Sequence, residues 1–320
     1  NPFKSCCRFG NSFETKRGKI SFPSRRPQQL QSWRQRFLTI RAAGEDENGS
    51  EQLIIAEKRL AARRARSENG NNVISRVLAG EIVQDEETEE QALTSVFLED
   101  VLLNSTNVVT NGRDYRQVVI VGSATDDRAF RLPWYEGTVI YLIAAPAAHQ
   151  YAAAALKGVE EARAPRGCLL RRVPADLKGT TGISEQLERA GFQSSRLSVW
   201  CLEGLQDLGL TFQECERLLL DVSNLAAFGS RVCGAVRAAD GGAVRNAFAQ
   251  LGFLAHVQSL EEHAVSTGRS YQVGALGQTG SQTWLFSGEQ QRLSLSQMRT
   301  YSDHVEAADE TDEDFFDNFS

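Results

Sequence analysis

Histidine is scarce in this sequence. The four present, His149, His256, His263 and His304, are scattered, and none stands beside a cysteine at zinc-ligand spacing. Each is read as packing or surface rather than catalytic, and no metal site is expected. The six cysteines form no CxxC pair, with Cys6 and Cys7 near the start and Cys168, Cys201, Cys215 and Cys233 spread through the rest. They are expected to be reduced thiols and not a disulfide framework. Long apolar runs are absent as well. The longest, Val139 to Ala155, contains Pro146, His149 and Gln150, so it falls short of the roughly 20 uninterrupted residues that a membrane helix needs. Methionine occurs once, at Met298, and the first residue is Asn, so the natural start is expected to lie upstream.

Acidic residues are nearly missing from residues 1–43, where ten Lys and Arg face Glu14 alone. The whole chain is −6, so the remainder carries a net −15. A body that acidic is repelled by phosphate backbones, which argues against a nucleic-acid partner. The basic segment is rich in Arg and Ser, is interrupted by Pro23 and Pro27, and ends near Arg41-Ala42-Ala43. That is the composition of an organelle transit peptide, with a chloroplast address first, a mitochondrial one second and a disordered basic arm third. At the other end, residues 301–320 hold eight acids, no Lys or Arg, and Phe315, Phe316 and Phe319. This acidic tail is expected to be disordered, either as a solvated end or as a docking motif for a protein partner.

What is abundant is alternation. Gln52 to Ser67, Asn72 to Ala79 and Gln91 to Leu103 carry good helix formers with apolar residues at helical spacing. Then Val118-Val119-Ile120-Val121 makes a short β-branched run that ends at Gly122, and similar runs follow at Thr138 to Ile143, Cys168 to Val173, Leu197 to Leu202 and Arg231 to Val236. Helical stretches separate them at Ala147 to Ala162, Ile183 to Ala190 and Thr211 to Ala227, while Ser270 to Val273 and Thr283 to Phe286 are expected as a final strand pair. Strands buried on both faces and alternating with helices predict an α/β, Rossmann-like, doubly wound and mostly parallel sheet with a helical N-terminal extension. The expected divisions are a transit peptide over 1–43, a helical and acidic extension over 44–90, the main domain over 91–290 and the acidic tail over 291–320.

In such a sheet, ligands bind beyond the carboxyl ends of the strands, so the loops after them carry the functional signal. The first reads Gly122-Ser123-Ala124-Thr125-Asp126-Asp127-Arg128-Ala129-Phe130-Arg131-Leu132. It resembles the strand-ending motif Gly-Ala-Gly-Leu-Asp-Thr-Arg-Ala-aromatic-Arg-Leu of the leucine carboxyl methyltransferase-like family, class I S-adenosylmethionine-dependent methyltransferases. Val173-Pro174-Ala175-Asp176-Leu177, Ala190-Gly191-Phe192 and Val199-Trp200-Cys201-Leu202-Glu203-Gly204-Leu205 extend the likeness over about residues 55 to 287. The resemblance implies that Gly122, with Ala124 in place of the family's second glycine, lies against the methionine part of the cofactor. It also implies that Asp176 accepts from the adenine amino group, that Leu177 packs near the ring, and that Glu203 faces the cofactor's amino end. Asp126 and Arg128 are read instead as a structural ion pair or helix cap.

Two family contacts are missing. The acid that grips the ribose at the end of the second strand is Ala144 here, in Tyr141-Leu142-Ile143-Ala144-Ala145-Pro146. The upstream Arg that binds the cofactor carboxylate has no counterpart in Leu93-Thr94-Ser95-Val96-Phe97-Leu98-Glu99-Asp100, which leaves Arg113 and Arg116 as the candidates to reach in. Charged hydrogen bonds contribute roughly 1.5–3 kcal/mol each, so losing two predicts affinity weaker by about 10² to 10⁴. Methyl transfer needs in-line positioning more than a base, and no catalytic residue is named. Two functions stay open: a methyltransferase acting on a carboxylate or hydroxyl of a small molecule or peptide end, and an inactive relative that binds a plastid protein. A nicotinamide-binding protein would also want an acid at the end of the second strand.

Overall fold

The computed structural model describes residues 47–67, 73–80, 88–107, 112–179, 182–269, 271 and 282–302, all within the compact unit Glu47–Ser320. The expected transit segment and the acidic tail from residue 303 onward lie outside the described residues.

Three helices come first: α1 (Glu47–Ser67), α2 (Val73–Ala79) and α3 (Thr88–Thr106). The sheet then begins with β1 (Gln117–Val121), followed by α4 (Arg128–Arg131), β2 (Val139–Ala144), α5 (Pro146–Ala155), β3 (Leu169–Pro174) and α6 (Ser184–Arg189). The second half adds β4 (Ser198–Leu202), α7 (Phe212–Leu225), β5 (Arg231–Ala238), α8 (Gly241–Gln250), β6 (Phe253–Ser259), α9 (Leu260–Ser266) and β7 (Gln282–Gln290). The seven strands form one sheet in the order β3-β2-β1-β4-β5-β7-β6. β1 to β5 run parallel and β7 is antiparallel to both β5 and β6. Central β1 and β4 are buried at every position, as a strand covered by helices on both faces must be. The edge strand β3 instead exposes Leu169 and Arg171, the kind of charge that blunts an open edge.

Two apolar clusters flank the sheet. One gathers Val118, Ile120, Leu142, Ala144, Val199 and Cys201 under α3 and α5. The other gathers Val119, Ile143, Val173, Trp200, Val222 and Phe248 under α7 and α8. Within the second, Phe192 packs edge-on against both Tyr141 and Trp200, at ring centroids 5.6 and 5.4 Å apart, and the Tyr141 hydroxyl donates to the Gly191 carbonyl at 3.0 Å. The Ala190-Gly191-Phe192 motif is therefore a packing element.

Thr283 to Phe286 falls inside β7, whose partners are β5 and β6, while Ser270 and residues 272–273 lie outside the described residues. α5 stops at Ala155 instead of Ala162, because Gly158 takes a left-handed conformation at φ 86° and turns the chain away. Cys168, Cys201, Cys215 and Cys233 are all buried free thiols. No helix among the described residues is long and apolar enough to cross a membrane.

Candidate functional site

Register places the loops side by side. Val121 pairs with Ile143 on one side and Leu202 on the other, and Ala144 pairs with Pro174. The chain therefore leaves β1, β2 and β4 at one edge through Gly122, Ala145 and Glu203. Gly122 has a φ of 132°, and a Cβ there would stand 2.4 Å from the Glu203 carbonyl oxygen. The glycine is thus required by β4's exit as well as by any ligand. Gly204 is also left-handed, at φ 69°, and a Cβ on it would meet the Leu60 side chain at 2.9 Å. Helix α1 lies directly on this turn.

That helix also delivers two charged side chains into the edge. Glu57, 0% exposed, aims its carboxylate into the first loop. Ser123 Oγ donates to its Oε2 at 2.6 Å, the Ala124 amide donates to Oε1 at 3.1 Å, and the Thr125 amide and hydroxyl stand 3.3 and 2.9 Å from Oε2. A buried carboxylate is costly unless it gains several such donors, and this one has them. One helical turn pair further on, Arg64 reaches Ser123 Oγ at 3.3 Å, Glu203 at 3.4 Å and Asp126 at 3.9 Å.

Asp126, Arg128 and Glu203 complete the network. Arg128 grips Asp126 with two parallel donors at 3.0 and 2.6 Å and also pairs with Glu203, which in turn accepts from the Gln91 amide. Burial would raise the Asp126 carboxyl, but Arg128 and Arg64 beside it overcome that and hold it well below the usual carboxylate range. Burial likewise works against the charge of Arg128, and Asp126 more than restores it. The expected structural ion pair is present.

The other candidates are elsewhere. Ala144 is 0% exposed and belongs, with Ala124 and Ala148, to the first apolar cluster. Asp176 is exposed and accepts from the Lys178 amide at 3.0 Å, while Leu177 belongs to the second cluster. Both line a recess of about 10 Å³ with Gly179, Ile183, Arg217 and Asp221. Gly122, Ala124 and Glu203 are therefore brought together, while Asp176 and Leu177 line a different recess from the one beside Glu203. Arg113 and Arg116 do not reach in. They bind Glu289 at 2.9 Å and Asp114 at 2.6 Å, near the amino end of β1. Glu57, Arg64 and Gln91 are the residues that sequence reasoning missed. For Glu57 and Arg64 the signal was a helical face, Glu57, Leu60, Ala61 and Arg64, with charge at both ends of an apolar stripe.

A polar cavity of about 40 Å³ opens beside Glu203, lined by Arg63, Glu90, Thr94, Gln206, Asp207 and Arg237 among others. It has room for roughly three waters, far below the several hundred Å³ of a small-molecule site. Arg63 and Arg237 converge there on the same Asp207 oxygen.

A parallel sheet with one antiparallel hairpin strand, and a glycine turn after β1 facing an acid after β4, is the class I methyltransferase architecture. The chain belongs to the leucine carboxyl methyltransferase family, which matches residues 45–219, more than half its length. A Mycobacterium sp. (strain JLS) protein, provisionally named an S-adenosyl-L-methionine-dependent methyltransferase, is 40% identical over 146 residues, covering 45% of this chain and 44% of that protein. The chain thus spans under half the length of such mycobacterial relatives. O-methyltransferase 1, chloroplastic, of Oryza sativa subsp. japonica is 28% identical over 243 residues, covering 72% of this chain and 64% of that one. A solved magnesium protoporphyrin IX methyltransferase from Synechocystis PCC 6803 with bound SAM superposes at TM-score 0.43 and 9% identity, covering 73% and 97% of the two chains. The strand order carries the fold assignment, not that overlap.

Proposed function

We propose that the chain is an S-adenosylmethionine-dependent methyltransferase that methylates a carboxylate or hydroxyl of a small molecule or peptide end. The observation that carries this reading is the Gly122 turn set against Glu203 at the strand edge of a member of this family. In this reading the adenine end of the cofactor meets Asp176 and Leu177, whose carboxylate and apolar side chain suit an amino group and a ring. The acceptor approaches on the Glu203 side, where the small polar cavity with Arg63 and Arg237 flanking Asp207 must widen to admit it. The first loop does not fit the cofactor's amino-acid end while Glu57 is in it, since its donors are already taken. The basic N-terminal segment and the chloroplastic name of the rice relative support a plastid stroma address.

A second reading is favoured by the same Glu57 and by the buried Ala144: a cofactor-free relative that binds a plastid protein through its acidic tail. One experiment separates the two. The purified chain is incubated with methyl-tritiated S-adenosylmethionine and plastid stromal extract, and label is followed in low-mass and peptide fractions. The methyltransferase reading expects enzyme-dependent label, released by alkali if an ester and retained if an ether. No label at millimolar cofactor would sink it.

A further inference from the structure

The Ser123–Thr125 loop has the equipment of a carboxylate-binding site. Two consecutive amides, Ala124 and Thr125, and two hydroxyls, Ser123 and Thr125, converge on one point, with the Arg64 guanidinium behind them. Successive backbone N–H groups aimed at one point form an anion cradle, and charge-assisted bonds of this kind are the stronger ones. The anion in it is the chain's own Glu57, fully buried in the middle of α1 and bonded through both carboxylate oxygens. We infer that Glu57 is an internal ligand of this loop, which occupies a carboxylate site in competition with the ligand's own carboxylate.

The identity of that competing ligand rests on the methyltransferase reading. S-adenosylmethionine and its product S-adenosylhomocysteine each carry one carboxylate, at the amino-acid end. Two carboxylates cannot share these donors, because like charges a few Å apart in a buried site repel strongly. The site's cationic supply is also committed, since Arg64 and Arg128 already serve Asp126 and Glu203. Segment 93–100 brings no arginine to offset a second anion. Entry of the cofactor's amino-acid end therefore requires Glu57 to swing out or α1 to lift. Residues 49–56 of α1 are exposed or half-buried, while Leu60, Ala61, Ala62, Arg64 and Ala65 after Glu57 are buried. The way out for Glu57 is toward the helix's N-terminal half.

The test uses the full chain and two substitutions, Glu57→Gln, which keeps the shape and removes the charge, and Glu57→Ala, which keeps helix propensity. Calorimetric titration with S-adenosylhomocysteine is expected to give a dissociation constant at least tenfold lower for both variants than for the unsubstituted chain. Measurable binding that is equal or weaker in the variants would overturn the inference, and weaker binding would make Glu57 a holder of the cofactor's ammonium group instead. A second measurement does not depend on the methyltransferase reading. Sodium acetate is expected to shift the Ala124 and Thr125 amide resonances of Glu57→Ala saturably, and not those of the unsubstituted chain. Acetate binding without any S-adenosylhomocysteine binding supports the carboxylate site and defeats the methyltransferase reading. No saturable shift with acetate and no binding of S-adenosylhomocysteine defeats both.

Discussion

The loops after β1 and β3 come from the same family pattern and are in opposite conditions. After β1, every donor of Ser123, Ala124 and Thr125 that faces the edge is engaged by a side chain 66 to 68 residues upstream, and the whole assembly is buried. After β3, Asp176 is exposed, and among the described residues it bonds locally, accepting from the Lys178 amide two residues on. One loop has been drawn into the hydrogen-bonded interior of the protein, and the other still faces solvent with its acceptor available. A motif can thus persist because a ligand needs it or because the fold has come to rely on it. At β1 the second cause is sufficient, since Gly122 is demanded by the Glu203 carbonyl and Asp126 by Arg128.

The comparison breaks first at Arg128. Replacing it by Met leaves Asp126 and Glu203 buried with less than their full complement of charge, and removing one partner of a buried pair costs about 3–5 kcal/mol. Urea unfolding should show that loss, and a loss under 1 kcal/mol would mean the β1 loop is not part of the core. Next comes Ala144→Asp. Placed in an apolar cluster at 0% exposure, the new carboxylate should lower stability by about 3 kcal/mol without tightening S-adenosylhomocysteine binding. Tighter binding at unchanged stability would show that β2 still opens on a ribose site.

A smaller effect follows from pH. Burial lowers His149 to about 4 from an ordinary value near 6.5, against the bond to the Val173 carbonyl at 3.3 Å. On acidification the unfolded chain takes this proton first, so the stabilisation is complete above pH 6.5 and is lost as pH falls toward 4. The total is at most about 3 kcal/mol. His149→Gln should flatten the stability profile in that window, and an unchanged slope would locate the effect elsewhere. Smallest on stability is Asp176→Asn. Its melting temperature should match that of the unsubstituted chain, while any S-adenosylhomocysteine affinity falls; a lower melting temperature would place the β3 loop in the core beside the β1 loop.

Much of this was legible because local pattern and tertiary role agree where strands are buried on both faces. The β-branched run ending at Gly122 needed no distant information, whereas Glu203 was reached through the family resemblance. β6 escaped because Phe253-Leu254-Ala255-His256-Val257 has an edge strand's mixed burial, and its pairing with β7 is made across a sequence gap. Glu57 escaped for a stronger reason: nothing in a helix's own sequence says which loop its buried face will meet. Arg64, and not Arg113 or Arg116, is the arginine that reaches the β1 loop, because α1 crosses the carboxyl edge while those two stay near the amino end of β1.

The central claim is that the first loop is closed by Glu57, and amide hydrogen exchange at Ala124 and Thr125 tests it most directly. In the unsubstituted chain both amides should exchange slowly, at rates near those of the central strands, and Glu57→Ala should release both while β1 stays protected. Fast exchange at Ala124 and Thr125 in the unsubstituted chain, at the rate of an open loop, would contradict the account.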